Sequence, residues 1–113
     1  MTRREALMAL RDAVMKEQQD AMAAATKNVF RARPYVLSVR AFDHHIAEAI
    51  DLVDEVLCGW HWGVSWARSG PSATVWHEPD KCMAVHHGKG RSPARALLLA
   101  ILEALIAREG GEG

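Results

Sequence analysis

Two cysteines, Cys58 and Cys82, are too few for a disulfide framework. That sets aside the stapled secreted mini-proteins and fits a reducing compartment, the cytoplasm of a cell. Net charge is missing as well: 14 Lys and Arg balance 14 Asp and Glu, which excludes a strongly basic nucleic-acid coat. No apolar run approaches the length that spans a bilayer, and the opening MTRREALMALRDAV has no apolar core of the kind a secretion signal carries. Disorder is excluded by what is present, since 50% of the residues are hydrophobic and 25% charged. The expectation is one domain over residues 1–113, large enough to bury about two-thirds of its unfolded surface without a staple.

Helix signals come first along the chain. Thr2 followed by Glu5 has the spacing of a capping box, so a helix is expected from Arg3. Leu7, Leu10 and Val14 give it a thin apolar stripe, and an Ala-rich run carries it to about residue 26. Residues 27–41 read as a basic extended connector, stopped by Pro34 and holding a short strand around Tyr35–Val39. A core of helix, three strands and helix is expected over 42–110. In its first helix, with Asp43 as N-cap, Phe42, Ile46, Ala49, Ile50, Val53 and Leu57 form one stripe, and Gly59 supplies the stop.

From Trp60 the apolar period falls to two. Residues 60–66 (WHWGVSW), 73–77 (ATVWH) and 82–87 (CMAVHH) read as three strands of an antiparallel meander, with R-S-G-P-S and E-P-D-K as the turns. If Arg68 faces Ser72 and Glu78 faces Lys81, Trp66 lies opposite Thr74, Val64 opposite Trp76, and Trp76 opposite Met83. One face then collects Trp60, Trp62, Val64, Trp66, Trp76, Met83 and Val85 as core. The other holds Gly63, Ser65, Ala67, Ala73, Val75, Ala84 and three histidines, small enough to accept a second helix. The last helix begins with Ser92 as N-cap and Pro93 at its first position. Leu97, Leu98, Ile101, Leu102 and Leu105 form its buried stripe, while Leu99 and Ile106 fall on the far side beside Glu103. Either the first helix or another chain covers them. The fold class is therefore α+β, in the order α-α-β-β-β-α, as a two-layer or an α/β/α sandwich.

Two resemblances bear on these pieces. The order from Asp43 to Arg108 resembles double-stranded-RNA-binding domains, and Gly88, Gly90, Ser92 and Ala96 match that family's G-x-G-x-S-K-K-x-A-K junction. Its three lysines, which contact phosphate, are replaced by Pro93, Ala94 and Leu97, so the resemblance implies the topology and not the activity. Over nearly the whole chain the sequence resembles the phage α-β-α sandwich domain, a family of small phage and prophage proteins. The likeness rests on the capped first helix, on L-x-G-W-x-W from Leu57 to Trp62, and on S-P-A-R-A-x-L-L-A-I-L-x-A-L from Ser92 to Leu105. It implies helices on both sides of a small sheet, and no chemistry for any residue.

Candidate chemistry is sparse, and no cofactor is expected. His61, His77, Cys82 and His86 share the smaller sheet face under the assumed register and include zinc-type ligands, though no C-x-x-C or H-x-x-x-H spacing supports them. No serine or cysteine has a base and an orienting acid beside it in sequence, so the chain reads as a non-enzyme. Arg68, Lys81, Lys89, Arg91 and Arg95 gather around turns and a helix N-terminus, the pattern of a nucleic-acid contact. Residues 41–58 carry five acidic side chains and no basic one. Of these, Glu48, Asp51, Asp54 and Glu55, with Leu99 and Ile106, are the candidate protein-binding residues. The expected function is a phage-encoded binding protein, monomeric or homodimeric, that blocks a host protein complex by bulk and charge. An inhibitor of a CRISPR effector is its most concrete form. The alternatives are a nucleic-acid-binding module and a zinc-binding accessory protein.

Overall fold

The computed structural model describes residues 2–77 and 84–109. Lys81, Cys82 and Met83 therefore lie outside the described residues, as does the proposed pairing of Glu78 with Lys81. The elements are helices α1 (Arg3–Met15), α2 (Gln19–Val29), α3 (Ala32–Phe42) and α4 (Ile46–Val56), strands β1 (His61–Ala67), β2 (Gly70–His77) and β3 (Ala84–Lys89), and helix α5 (Pro93–Glu109). The class is α+β, but four helices precede the sheet instead of two. Among the described residues no helix is long and apolar enough to cross a membrane.

The extra helices come from stops that contain neither glycine nor proline. α1 starts as expected, with Thr2 Oγ1 accepting from the Glu5 backbone N–H at 3.1 Å. It ends early because Glu17 turns left-handed at φ 57°. The Gln18 N–H then donates to the Ala13 carbonyl and the Glu17 N–H to the Val14 carbonyl, both at 3.1 Å, which closes the helix end. The expected single helix over 1–26 is thus α1 and most of α2. The expected connector is helical too. Pro34 falls within the first turn of α3, where no N–H is needed for the helix ladder, so it opens a helix instead of stopping one. The Ser38 hydroxyl donates to the Pro34 carbonyl at 2.8 Å, and the segment Tyr35–Val39, expected as a strand, is the middle of this helix. α3 ends as α1 does, with His44 at φ 73° and the His45 N–H donating to the Arg40 carbonyl at 3.0 Å. Asp43 is therefore the C-cap of α3 and not an N-cap; α4 begins after His45.

The sheet is an antiparallel meander in the order β1-β2-β3. Its register differs from the expected one. Trp66 pairs with Pro71, Val64 with Ala73 and His61 with Trp76, because only Arg68 and Ser69 form the turn and Pro71 belongs to β2. That shift of three residues is odd, so it moves β2 to the other face relative to β1. Between β2 and β3, Trp76 pairs with Val85 instead of Met83, an even shift that leaves the faces unchanged. The inner face thus combines Trp60, Trp62, Val64 and Trp66 with Pro71, Ala73, Val75, His77, His86 and Gly88. Trp76 and Val85, assigned to the core from sequence, sit on the outer face with His61, Thr74, His87 and Lys89. No helix lies on that outer face among the described residues, so the architecture is two-layered.

Helix α5 is the centre of the molecule. From Ala94 to Ala107 every residue except Glu103 is buried, because the helix packs on β3 and β2 on one side and on α1, α4 and α3 elsewhere. Its contact with β3 is backbone to backbone. A Cβ on Gly88 would lie 2.3 Å from the Ala96 carbonyl oxygen and 2.9 Å from Leu99 Cβ. Leu99 therefore faces the sheet. Ile106 shares a stripe with Glu103 and Glu109, and these carboxylates meet Arg11 at 3.0 Å and Arg3 at 3.1 Å from α1. α1 covers Ile106, so neither residue is left for another chain.

Candidate interaction surface

The start of α5 shows what becomes of the basic cluster. Ser92 Oγ accepts from the Arg95 backbone N–H at 3.2 Å as the N-cap. The same hydroxyl lies 2.6 Å from His44 Nδ1, so the residue that stops α3 also holds the start of α5. Arg95 is buried, with Nε donating to the Phe42 carbonyl at 3.0 Å and the guanidinium 4.0 Å above the Phe42 ring. Glu17 pairs with Arg91 at 2.7 Å and with Arg95 at 3.3 Å. Arg95 is thus a structural strut, and Arg91, though exposed, already has a carboxylate partner. Arg68 and Lys89 are exposed, with Lys89 on the outer sheet face; Lys81 lies outside the described residues. Of the four described residues, Arg95 is buried and Arg91 is paired, which leaves Arg68 and Lys89 as the exposed cations with no carboxylate partner among the described residues.

The three described zinc candidates are divided between the two sheet faces. His77 and His86 flank Trp60 on the inner face, with ring centroids 5.2 and 6.0 Å from it. His61 is on the outer face, stacked at 5.6 Å on Trp76. Cys82 lies outside the described residues, among which no group of three or more metal-binding side chains occurs. Near His77, a groove of about 340 Å³ is lined by Glu55, Val56, Cys58, Trp60 and Arg108 as well.

The acidic candidates are brought together, with an addition the sequence did not reveal. α3 and α4 pack as an antiparallel pair. Arg33, at the start of α3, reaches the end of α4 and pairs with Glu55 at 2.9 Å and Asp51 at 3.5 Å. Glu48 lies 4.0 Å from His45 Nδ1. Asp54 is exposed. At the junction of α3 and α4 a groove of about 370 Å³ is lined by Tyr35, Val36, Val39, Arg40, Asp43 and His45. Val36 is 47% exposed and Ile46 38%, both high for aliphatic side chains. An apolar strip rimmed by charge has the anatomy of a protein contact. Sequence reasoning missed it because Tyr35–Val39 was assigned to a connector, and a connector has no face. Reading 32–42 as a helix places Tyr35, Val36 and Val39 at i, i+1 and i+4, a signal that the period alone would have given.

A comparison with protein-family models, with curated proteins and with solved structures finds no match to this chain.

Proposed function

We propose that the chain is a non-enzymatic protein-binding module whose contact surface is the α3–α4 pair. The observation that supports this is the groove at the junction of α3 and α4, where Tyr35, Val36 and Val39 lie beside Arg40, Asp43 and His45, on a helix pair whose second member carries Glu48, Asp51, Asp54 and Glu55. Apolar side chains in the groove supply contact area. The carboxylates select a partner with a basic rim, and steer it at a rate that depends on ionic strength. Arg33 holds Asp51 and Glu55 in place and lowers the net charge of that end, so Asp54 and Asp43 carry most of the unpaired charge. The resemblance to small phage proteins extends the proposal to the partner class: a host protein assembly that handles nucleic acid, with a defence complex as the specific target and occlusion of its basic groove as the mode of inhibition.

The test is affinity capture from host lysate, with and without expressed defence complexes, using the native chain and two surface variants. Asp54→Lys is expected to weaken capture about tenfold at low salt, with a smaller effect at high salt. Val36→Asp is expected to weaken it at both. Equal capture by all three proteins would overturn the assignment of this surface. A sub-micromolar, salt-sensitive shift of RNA or DNA that Arg91→Glu abolishes would favour the nucleic-acid alternative instead.

A further inference from the structure

The edge of the sheet is left open in an unusual way. β1 has β2 on one side and, among the described residues, no strand on the other. Natural edge strands are blunted by lysine, proline, a bulge or a covering element. β1 (HWGVSWA) has no charged residue and no proline, and it pairs with β2 without a bulge. α5 lies under β3 and β2 and reaches β1 least. The inner face of β1 therefore projects past the helical layer, and Trp62 is 38% and Trp66 71% exposed. Aromatic side chains at that exposure on an unpaired seven-residue edge make a template for another strand.

The strand also carries information about which strand that is. Its midpoint is Val64, flanked symmetrically by small residues, Gly63 and Ser65, and then by Trp62 and Trp66. An antiparallel pairing that uses all seven residues places Val64 on Val64 of a second copy. It sets Trp62 opposite Trp66 of that copy, and Trp66 opposite its Trp62. We propose that β1 is a homodimerisation edge, joining two copies about a two-fold axis at Val64 into one six-stranded sheet. The four tryptophans fill the space between the two helical layers as two crossed aromatic pairs, an arrangement favoured across antiparallel strands. No charge opposes a like charge, since the paired residues carry none. The two-fold makes the contact isologous and closed, so it ends at a dimer and does not propagate into a fibre. The contact is a single seven-residue strand pair with its tryptophans, so the dimer forms reversibly with concentration. This surface is separate from the α3–α4 face and leaves that face free.

The test is sedimentation velocity or light scattering of the whole chain over a hundredfold range of concentration. The expected result is a shift from monomer to dimer mass. Trp66→Lys is expected to raise the dissociation constant about thirtyfold. Because Trp66 is mostly exposed, circular dichroism should show the variant folded, which separates a lost interface from a lost fold. The double variant Trp62→Lys/Trp66→Glu tests the register, because it sets opposite charges across each crossed pair. It is expected to dimerise more tightly than Trp62→Lys/Trp66→Lys. A native chain that stays monomeric throughout would overturn the proposal and leave the edge to a strand of another protein. So would a dimer that tolerates Trp66→Lys, or double variants that behave alike.

Discussion

Glu17 occupies a left-handed backbone conformation in which glycine is the usual residue. Its side chain explains the exception, because the carboxylate spans Arg91 and Arg95 at the far end of the sequence. His44 repeats the device: it is left-handed at the end of α3 and reaches Ser92. Each stop trades backbone ease for a contact that anchors the start of α5. The trade is measurable by comparing two substitutions at position 17. Glu17→Ala keeps the backbone strain and loses the ion pairs, one of which is to the buried Arg95, so it is expected to cost about 1 kcal/mol. Glu17→Gly loses the same pairs but relieves about 1 kcal/mol of left-handed strain, so it should lie close to the native protein. Chemical denaturation of the two variants checks this, and equal losses would mean that the strain is negligible. The same residues explain why the helix breaks were not legible. Lys16, Glu17 and Gln18 are good helix formers, and the force that turns the chain there comes from arginines more than seventy positions away.

The elements divide into those whose cause is local and those whose cause is not. The caps at Thr2 and at Ser92–Pro93 and the switch to a period of two were readable, because each is settled within a few residues. The expected stripe of α4 was readable only at Ala49, Val53 and Leu57, since Ile46 is exposed and Leu52 is buried in its place. Register was not, since it depended on whether Pro71 belongs to the turn or to the strand. Proline is common in turns and also tolerated near a strand's start, as here. Gly88 has its own physical reason for being glycine. β3 crosses α5 so closely that only hydrogen fits at Gly88. Gly88→Ala should therefore cost about 3 kcal/mol or more, as overpacking against the backbone of α5 leaves no flexible atom to yield. Gly63→Ala is the control within the same sheet. Its Cβ would meet only the Trp76 ring at 3.5 Å, and removing a strand glycine gains a few tenths of a kcal/mol or more. Thermal melts of the pair separate close packing from a general intolerance of the sheet to side chains.

At the scale of the whole molecule, the balanced charge is spent on joining distant segments. Arg3 with Glu109, Arg11 with Glu103, Arg33 with Asp51 and Glu55, and Glu17 with Arg91 and Arg95 each bridge different elements. Such pairs set geometry more than they stabilise, because exposed pairs contribute only about 0–1 kcal/mol each. Cohesion comes from α5, which contacts the sheet and also α1, α3 and α4. The folding unit should therefore be the entire chain, and the positions of the chromophores make that testable. All four tryptophans, Trp60, Trp62, Trp66 and Trp76, lie in or beside β1 and β2, so their fluorescence reports the sheet. Far-ultraviolet circular dichroism is dominated by the five helices. If α5 makes one core, the two signals should melt together in a single transition. Ile101→Ala, which empties a fully buried position of α5, should move both midpoints down by the same amount at a cost of about 2–5 kcal/mol. Against a total of about 5–15 kcal/mol that is a large share. A dichroism loss that precedes the fluorescence change would show instead that α1 to α4 unfold apart from the sheet, and that α5 does not couple them.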